Sequence, residues 1–471
     1  MLLRNARLDD ATDPVDLAIT GDRIGGTGDG PVIDLDGRLV LPGFWDAHVH
    51  FDQWALSQAA VDLSAAASAR AAAQILGAVP GSDLVVAHGF RDGLWPDAPT
   101  VVLLDRYTGA RPVVAISADL HCAWFNTAAL HRFSLAPVDG LVRELDFMPR
   151  MNEIQPTDPA RLDRLVADAA RAAAARGVVG VVDFEIADNV ASWARRIGDG
   201  LDVLRVRCGI WPEWLDSAVA AGLRTGDPVP GTGGLATVGP LKVIVDGSLG
   251  TRTAYCHDPY PGGGYGVLSV RPDRLRQWMF RARANGLECA IHAIGDAACA
   301  VVLDAFAATG ARGSVEHAQL VADADLAVFA GLGVTASVQP AHVHDDAPLA
   351  DRYWAGRTAR AFPYGSLQRA GVRFALGSDA PVAPLDPWRT LRAAVDRTQP
   401  DGRRWHPEHE LPWEVALAAS TGGRTRVAPG DVADLVVLDI DSLPRRGPGL
   451  ADPPVAATMV GGRWVFASRT L

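Results

Sequence analysis

The sequence predicts an α/β fold: a (β/α)8 TIM barrel, a small β-sandwich domain formed by the N- and C-terminal segments, and an insertion after barrel strand 1. Three observations predict it. Apolar runs separated by helical patterns occur eight times between residues 41 and 377. Short strand-like runs appear at both chain ends, and neither end has enough of them to build a sheet with a full hydrophobic face. Two further apolar runs, Leu84–His88 and Pro112–Ala118, fall outside the eightfold count. With 471 residues, the chain is long enough for one large barrel plus a smaller domain.

Taken in order, residues 1 to 41 read as strands Leu2–Leu8, Val15–Ile19 and Val32–Val40, the last broken at Asp36-Gly37. Strand patterns return in Ala433–Asp439 and Ala456–Phe466, so segments 1–41 and 425–471 are expected to form one β-sandwich. The barrel is expected over 42–424. It begins at Leu41-Pro-Gly-Phe-Trp-Asp-Ala-His-Val-His50 and continues at Gly177–Phe184, Val203–Ile210, Leu241–Asp246, Leu287–Ile294, Ser314–Ala318, Val334–Gln339 and Val372–Gly377. Asp158-Pro159 caps a helix that should stop at Arg176-Gly177, and Pro272 to Asn285-Gly286 repeats the device. The surplus runs are assigned to an insertion at about 52–150, which also contains Ala-rich helix such as Ser64–Ala73.

Composition narrows the function. A formal net charge of −11 without a basic stripe argues against nucleic acid and anionic membranes as partners. The first ten residues lack the apolar stretch of a signal peptide, and no apolar run reaches membrane-spanning length. The five cysteines form no C-x-x-C pair, and an odd number does not close a disulfide framework, so reduced thiols in a cytoplasmic protein are expected. The expected partner is a small-molecule substrate, with a homodimer as a candidate assembly.

Of the 44 basic residues, 43 are arginine and one is lysine, Lys242. Surface lysine exchanges for arginine at little cost, whereas a lysine that must shed its proton does not. Lys242 opens a short apolar strand, where an unpaired ammonium is expensive to bury. Either it snorkels to water, or it reacts with CO2 to give a carbamate that bridges metal ions. The second reading needs ligands, and they are present. His48 and His50 lie two apart on a strand and share one face at its C-terminal end, where barrel active sites lie. His292, His317 and Asp379 sit at the ends of the fifth, sixth and eighth strands, beside Lys242 on the fourth. Any single histidine could be a core residue bonded to backbone. Six ligand-type residues at one end of one barrel favour a metal site.

The motifs Pro42-Gly-Phe-Trp-Asp-Ala-His-Val-His50, Lys242-Val-Ile-Val-Asp-Gly-Ser-Leu-Gly-Thr-Arg-Thr253, His292-Ala-Ile-Gly-Asp296, Glu316-His-Ala-Gln319, Ser337-Val-Gln-Pro340 and Gly377-Ser-Asp-Ala-Pro-Val382 carry a resemblance. In this order, with Gly430–Asp439 returning to the sandwich, they resemble the amidohydrolase superfamily, in the branch that includes N-substituted formamide deformylase. The resemblance implies that His48, His50 and Asp379 hold one metal, His292 and His317 the other, and a CO2-derived carbamate on Lys242 bridges them. Imidazole and carboxylate ligands without thiolate suit Zn2+, with Mn2+ or Fe2+ as alternatives. The implied chemistry is cleavage of a non-peptide C–N bond, in an N-acyl or N-formyl amide, by metal-activated hydroxide, with Asp379 moving the proton.

The substrate-binding candidates are His121, in Asp119-Leu-His121, Arg91 and Trp95, in Gly89-Phe90-Arg91 and beyond, and His342 after the seventh strand. The family usually has Gly where Leu120 stands. Arg91 departs from the family pattern and suits an anionic group on the substrate. His344 reads as solvated loop, and His406 and His409 lie in a Pro-containing loop that cannot present two ligands one helical turn apart. Two rival readings remain: a one-metal deaminase of a heterocycle, which would lack the bridging lysine, and a non-catalytic barrel scaffold, which would have lost ligands.

Overall fold

The eight apolar runs become eight parallel strands of one sheet in the computed structural model, which describes residues 1–8, 13–136, 140–143, 146, 151–154, 158–447, 450 and 452–468. The strands are Phe44–Val49, Val178–Asp183, Arg205–Ile210, Ala236–Ile244, Cys289–Ala293, Gly313–His317, Thr335–Val338 and Arg373–Leu376, each paired to the next in chain order. Most of their residues are buried on both faces, one face filling the barrel and the other meeting helices, which is why they read as continuous apolar runs.

The first and last strands meet at their C-terminal ends, just where the ligand-type residues cluster. Asp379 N donates to His48 O at 2.8 Å, and His50 N donates to Ala380 O at 2.8 Å. Asp46 Oδ1 accepts from His48 N at 3.1 Å and Ser378 N at 2.9 Å, tying the two ends through one carboxylate. Gly377 permits the approach, because a Cβ there would stand 2.7 Å from His48 N.

Helix boundaries follow the capping chemistry. Asp158 accepts from Arg161 N and starts helix Pro159–Ala174, and Gly177, at φ 88°, follows its end. Helix Pro272–Ala284 ends before Gly286, at φ 80°. The Ala-rich stretch Ser64–Ala73 is a correction: the helix is Ala69–Gly77, because the Ser68 hydroxyl caps Ala71 N and fixes the start there. Composition gave the helix but not its register.

Strands Leu2–Ala6, Val15–Thr20, Arg23–Ile24 and Val32–Asp34 form one four-stranded sheet. Leu39–Pro42 pairs with the C-terminal strands Leu435–Leu438, Val455–Val460 and Arg463–Ala467 in another. Leu3, Leu17, Ile19, Val40, Leu435, Val437 and Met459 share one apolar cluster between them. After the first barrel strand, Val61–Asp62, Val85–Phe90, Val113–Ser117, Cys122–Phe125 and Leu141–Arg143 build a separate five-stranded sheet, with an apolar cluster on each side. The expected end of the insertion at residue 150, and residues 469–471 of the C-terminal segment, lie outside the described residues. The five cysteines are free and buried. No helix among the described residues is long and apolar enough to cross a membrane.

Candidate metal centre

His48 and His50 project from the end of the first barrel strand, and both are buried. His48 is held through Nδ1, which stands 2.7 Å from Glu316 Oε2, so with Glu316 ionised Nδ1 carries the proton and Nε2 keeps its lone pair. That Nε2 faces Lys242 Nζ at 3.1 Å and Asp379 Oδ1 at 3.4 Å. His50 Nε2 reaches the same Asp379 oxygen at 3.6 Å. The His317 ring stands between His48 and His292, with centroid distances of 4.9 Å and 4.4 Å. His317 and Asp379 both have left-handed backbones, φ 72° and 58°, a costly conformation that clusters at functional sites.

The electrostatics favour a bound cation. Burial is the leading cause that drives His48 and His317 well below the usual imidazole range and His50 to about 3, so the rings stay neutral and can donate lone pairs. His50 Nδ1 and His317 Nδ1 are buried without a hydrogen-bond partner. Burial pushes the Asp379 carboxyl up to about 7, against the pull of Lys242. It also brings the Lys242 ammonium down to about 8, while Glu316 and Asp379 oppose the change. Lys242 is 1% exposed, its Nζ lies 4.6 Å from the Phe184 ring centroid, and it forms no ion pair among the described residues. Neutral imidazoles, an acidic oxygen and orphaned ring nitrogens in one buried cluster fit a divalent metal.

One ligand atom each from His48, His317 and Asp379 lies within 4.8 Å of the others. The geometry therefore groups His317 with His48 and Asp379, while the resemblance pairs it with His292. Its position between the two rings accounts for both groupings. His292 Nε2 approaches Asp246 Oδ1 at 3.3 Å and Gly247 O at 3.4 Å. Asp246 is itself fixed by the backbone amides of Ile294, Gly295 and Tyr255, at 2.9 to 3.0 Å.

These residues open into a cleft of about 940 Å³, counting the space open to solvent. His121 lines it with its ring 6.2 Å from His292, and His342 lines it with Nε2 3.9 Å from Asp379 Oδ2. Arg91 also lines it, but its guanidinium already donates to Asp345 Oδ2 at 3.0 Å. The structure does not bring Trp95 to this cleft: its indole donates to Ala66 O at 2.9 Å and packs beside Phe90 and Trp124 in the insertion's core. His344 is half-buried in helix His342–Tyr353 rather than in a solvated loop, because the chain turns helical right after Ala341. His406 meets Glu408 and His409 meets Ala359 O, both away from the cleft.

Glu316, Asp246 and Asp46 emerge as positioning residues that sequence reasoning passed over. Glu316 and Asp246 lie in stretches already singled out for their neighbours, and ligating imidazoles commonly lean on a carboxylate through the other nitrogen. That rule was the available signal. Leu120 also lines the cleft, with a left-handed backbone of φ 61°.

Residues 31–466 match the family model described as Amidohydrolase family. Protein LONG AFTER FAR-RED 3 of Arabidopsis thaliana is 28% identical, covering 93% of this chain and 84% of its own length. N-substituted formamide deformylase of Arthrobacter pascens is 24% identical, covering 92% of this chain and 89% of its own. Among solved structures, an uncharacterized metal-dependent hydrolase from Pyrococcus horikoshii OT3 is 26% identical with a TM-score of 0.77, covering 93% of this chain and 97% of its own.

Proposed function

The chain belongs to the amidohydrolase family, and we propose that it is a two-metal hydrolase cleaving a carbon–nitrogen bond other than a peptide bond, in an N-acyl or N-formyl amide. One observation carries this reading. The protein's single lysine is buried among neutral histidines at the end of a barrel strand, with no ion pair among the described residues. A buried lone ammonium is costly. If the ammonium sheds one proton and the neutral amine attacks CO2, the lone pair forms an N–C bond and a second proton leaves, so a cation becomes an anion with two oxygens. Such a group suits a site built to receive cations.

Zn2+, with Mn2+ or Fe2+ as alternatives, would when bound supply hydroxide near neutral pH and polarise the scissile carbonyl. His48, His50, His292, His317, Asp379 and the carbamate of Lys242 would hold it. Asp379 Oδ1 faces His48 and His50, and there it takes a proton from the attacking water. Oδ2 lies 3.9 Å from Nε2 of His342, a further imidazole lining the cleft. Leu120, Ile186, Ile294 and Val382 supply apolar lining to the same cleft. A small molecule met in the cytoplasm completes the reading.

The Arthrobacter pascens relative, named for an N-substituted formamide, makes N-formyl amines the first substrates to test. N-formyl amines, N-acyl amines and amino-substituted heterocycles should be assayed side by side. The proposal expects a carboxylate and an amine as products. Ammonia released from a ring, with no acyl substrate turned over, would overturn it. The one-metal deaminase is the second reading, favoured by the convergence of three donors, His48, His317 and Asp379, around a single point.

A further inference from the structure

A second cleft lies beside the metal cleft. It encloses about 1260 Å³, counting the space open to solvent, and Gly250 lines both. Three arginines from separate parts of the chain converge on it. Arg143 ends the last strand of the insertion sheet, Arg252 lies in the loop after the fourth barrel strand, and Arg352 belongs to helix His342–Tyr353. None of the three forms an ion pair among the described residues. An exposed arginine without a partner is ordinary on a solvated face. Three in one concavity, in a chain of net charge −11, are not.

Two details mark the arrangement as built. Arg252 and Arg352 both lie over the ring of Tyr353, at 5.6 Å and 5.1 Å from its centroid, and Arg352 is fixed by donating to Gly93 O at 2.9 Å. Like charges gathered on one aromatic ring repel unless an anion joins them. Arg252 also holds a left-handed backbone, φ 61°, which a glycine would adopt without strain. The two carboxylates in the cleft, Asp92 and Asp97, do not fully balance the three arginines. Asp97 spends both oxygens on Ala69 N and Arg70 N, at 2.7 and 3.0 Å. Burial, aided by the nearby Asp119, pushes the Asp92 carboxyl up, while Arg143 and Arg252 pull it down, so this one carboxyl offsets only part of their charge.

We propose that this side cleft binds an anionic group, a carboxylate or a phosphate, carried by the substrate at the end remote from the bond that is cut. Guanidinium forks match both groups with paired hydrogen bonds. The link to catalysis rests on the hydrolase reading above, whereas the anion site stands on its own geometry.

Calorimetric titration of the metal-loaded protein with succinate and with inorganic phosphate tests the site, and the tighter of the two identifies the group. Arg252→Gly removes the cation while relieving the backbone. Affinity should fall about tenfold or more without a drop in thermal midpoint, and Arg252→Lys should keep part of the binding. Arg352→Gln gives the same readout should Arg252→Gly not fold. Anion binding at the metals instead would survive both substitutions, so unchanged affinity overturns the proposal. A matched pair of N-formyl amines, one ending in a carboxylate and one in a carboxamide, supplies the kinetic arm. The preference for the carboxylate should vanish in Arg252→Gly through KM. If neither compound is hydrolysed, the hydrolase reading fails while calorimetry still judges the anion site.

Discussion

Glu316 Oε2 stands 2.7 Å from Nδ1 of His48, and both side chains are 1% exposed. This contact decides which nitrogen of His48 faces Lys242 and Asp379. The same carboxylate accepts from Ser314, so its orientation is set independently of the histidine. Glu316→Ala leaves the ring free to turn and to change tautomer. Metal affinity, measured by competition with a chromophoric chelator, should fall about 10- to 100-fold. Unaltered affinity would show that the contact only fills the barrel.

Asp379→Asn keeps the shape but cannot accept a proton at the atom that faces His48 and His50. Turnover at saturating metal should drop by about 10²- to 10⁴-fold with the circular dichroism spectrum retained. A loss confined to KM would assign Asp379 to substrate binding instead.

Gly295 is required for close approach, not for an unusual backbone. Its φ is −76°, yet a Cβ there would lie 2.0 Å from Tyr255 O. Its amide also donates to Asp246, the carboxylate beside His292. Gly295→Ala should cost about 1–3 kcal/mol in urea denaturation and weaken metal binding in parallel. A stable variant with normal metal content would show that the loop ending at Tyr255 yields freely.

His88 lies in the insertion sheet, 6% exposed, and burial lowers its pKa from 6.5 to about 4. The folded state therefore binds fewer protons than the unfolded state between those values. Its contribution is fully present above pH 6.5 and is lost as pH falls towards about 4. His88→Gln has nothing to titrate, so the wild type should lose up to about 3 kcal/mol relative to it across that window. Parallel stability curves for the two proteins would contradict the burial argument.

The barrel was legible because its strands are buried on both faces and because Asp158, Gly177 and Gly286 mark helix limits by local chemistry. That these six side chains share one cleft was legible because His48, His50, Lys242, His292, His317 and Asp379 all fall at one end of those strands. Trp95 was not. An aromatic on a cleft wall and one inside a small core have the same sequence signature, and only the five-stranded insertion sheet decides between them. Arg91 illustrates a related gap, since its partner Asp345 lies 254 residues away. The strand Cys122–Phe125 escaped notice because it is four residues long and follows a turn with Leu120 left-handed.

Lys242→Arg tests the central claim most directly, read as metal content per chain by elemental analysis alongside turnover. Arginine keeps the charge but can neither shed its proton nor react with CO2. The account predicts about two metal ions per chain in the wild type and the loss of at least one, with activity, in the variant. Lys242→Ala should lose metal too, and added acetate or propionate should restore part of the activity where chloride does not. An arginine variant with full metal content and normal turnover would contradict the account.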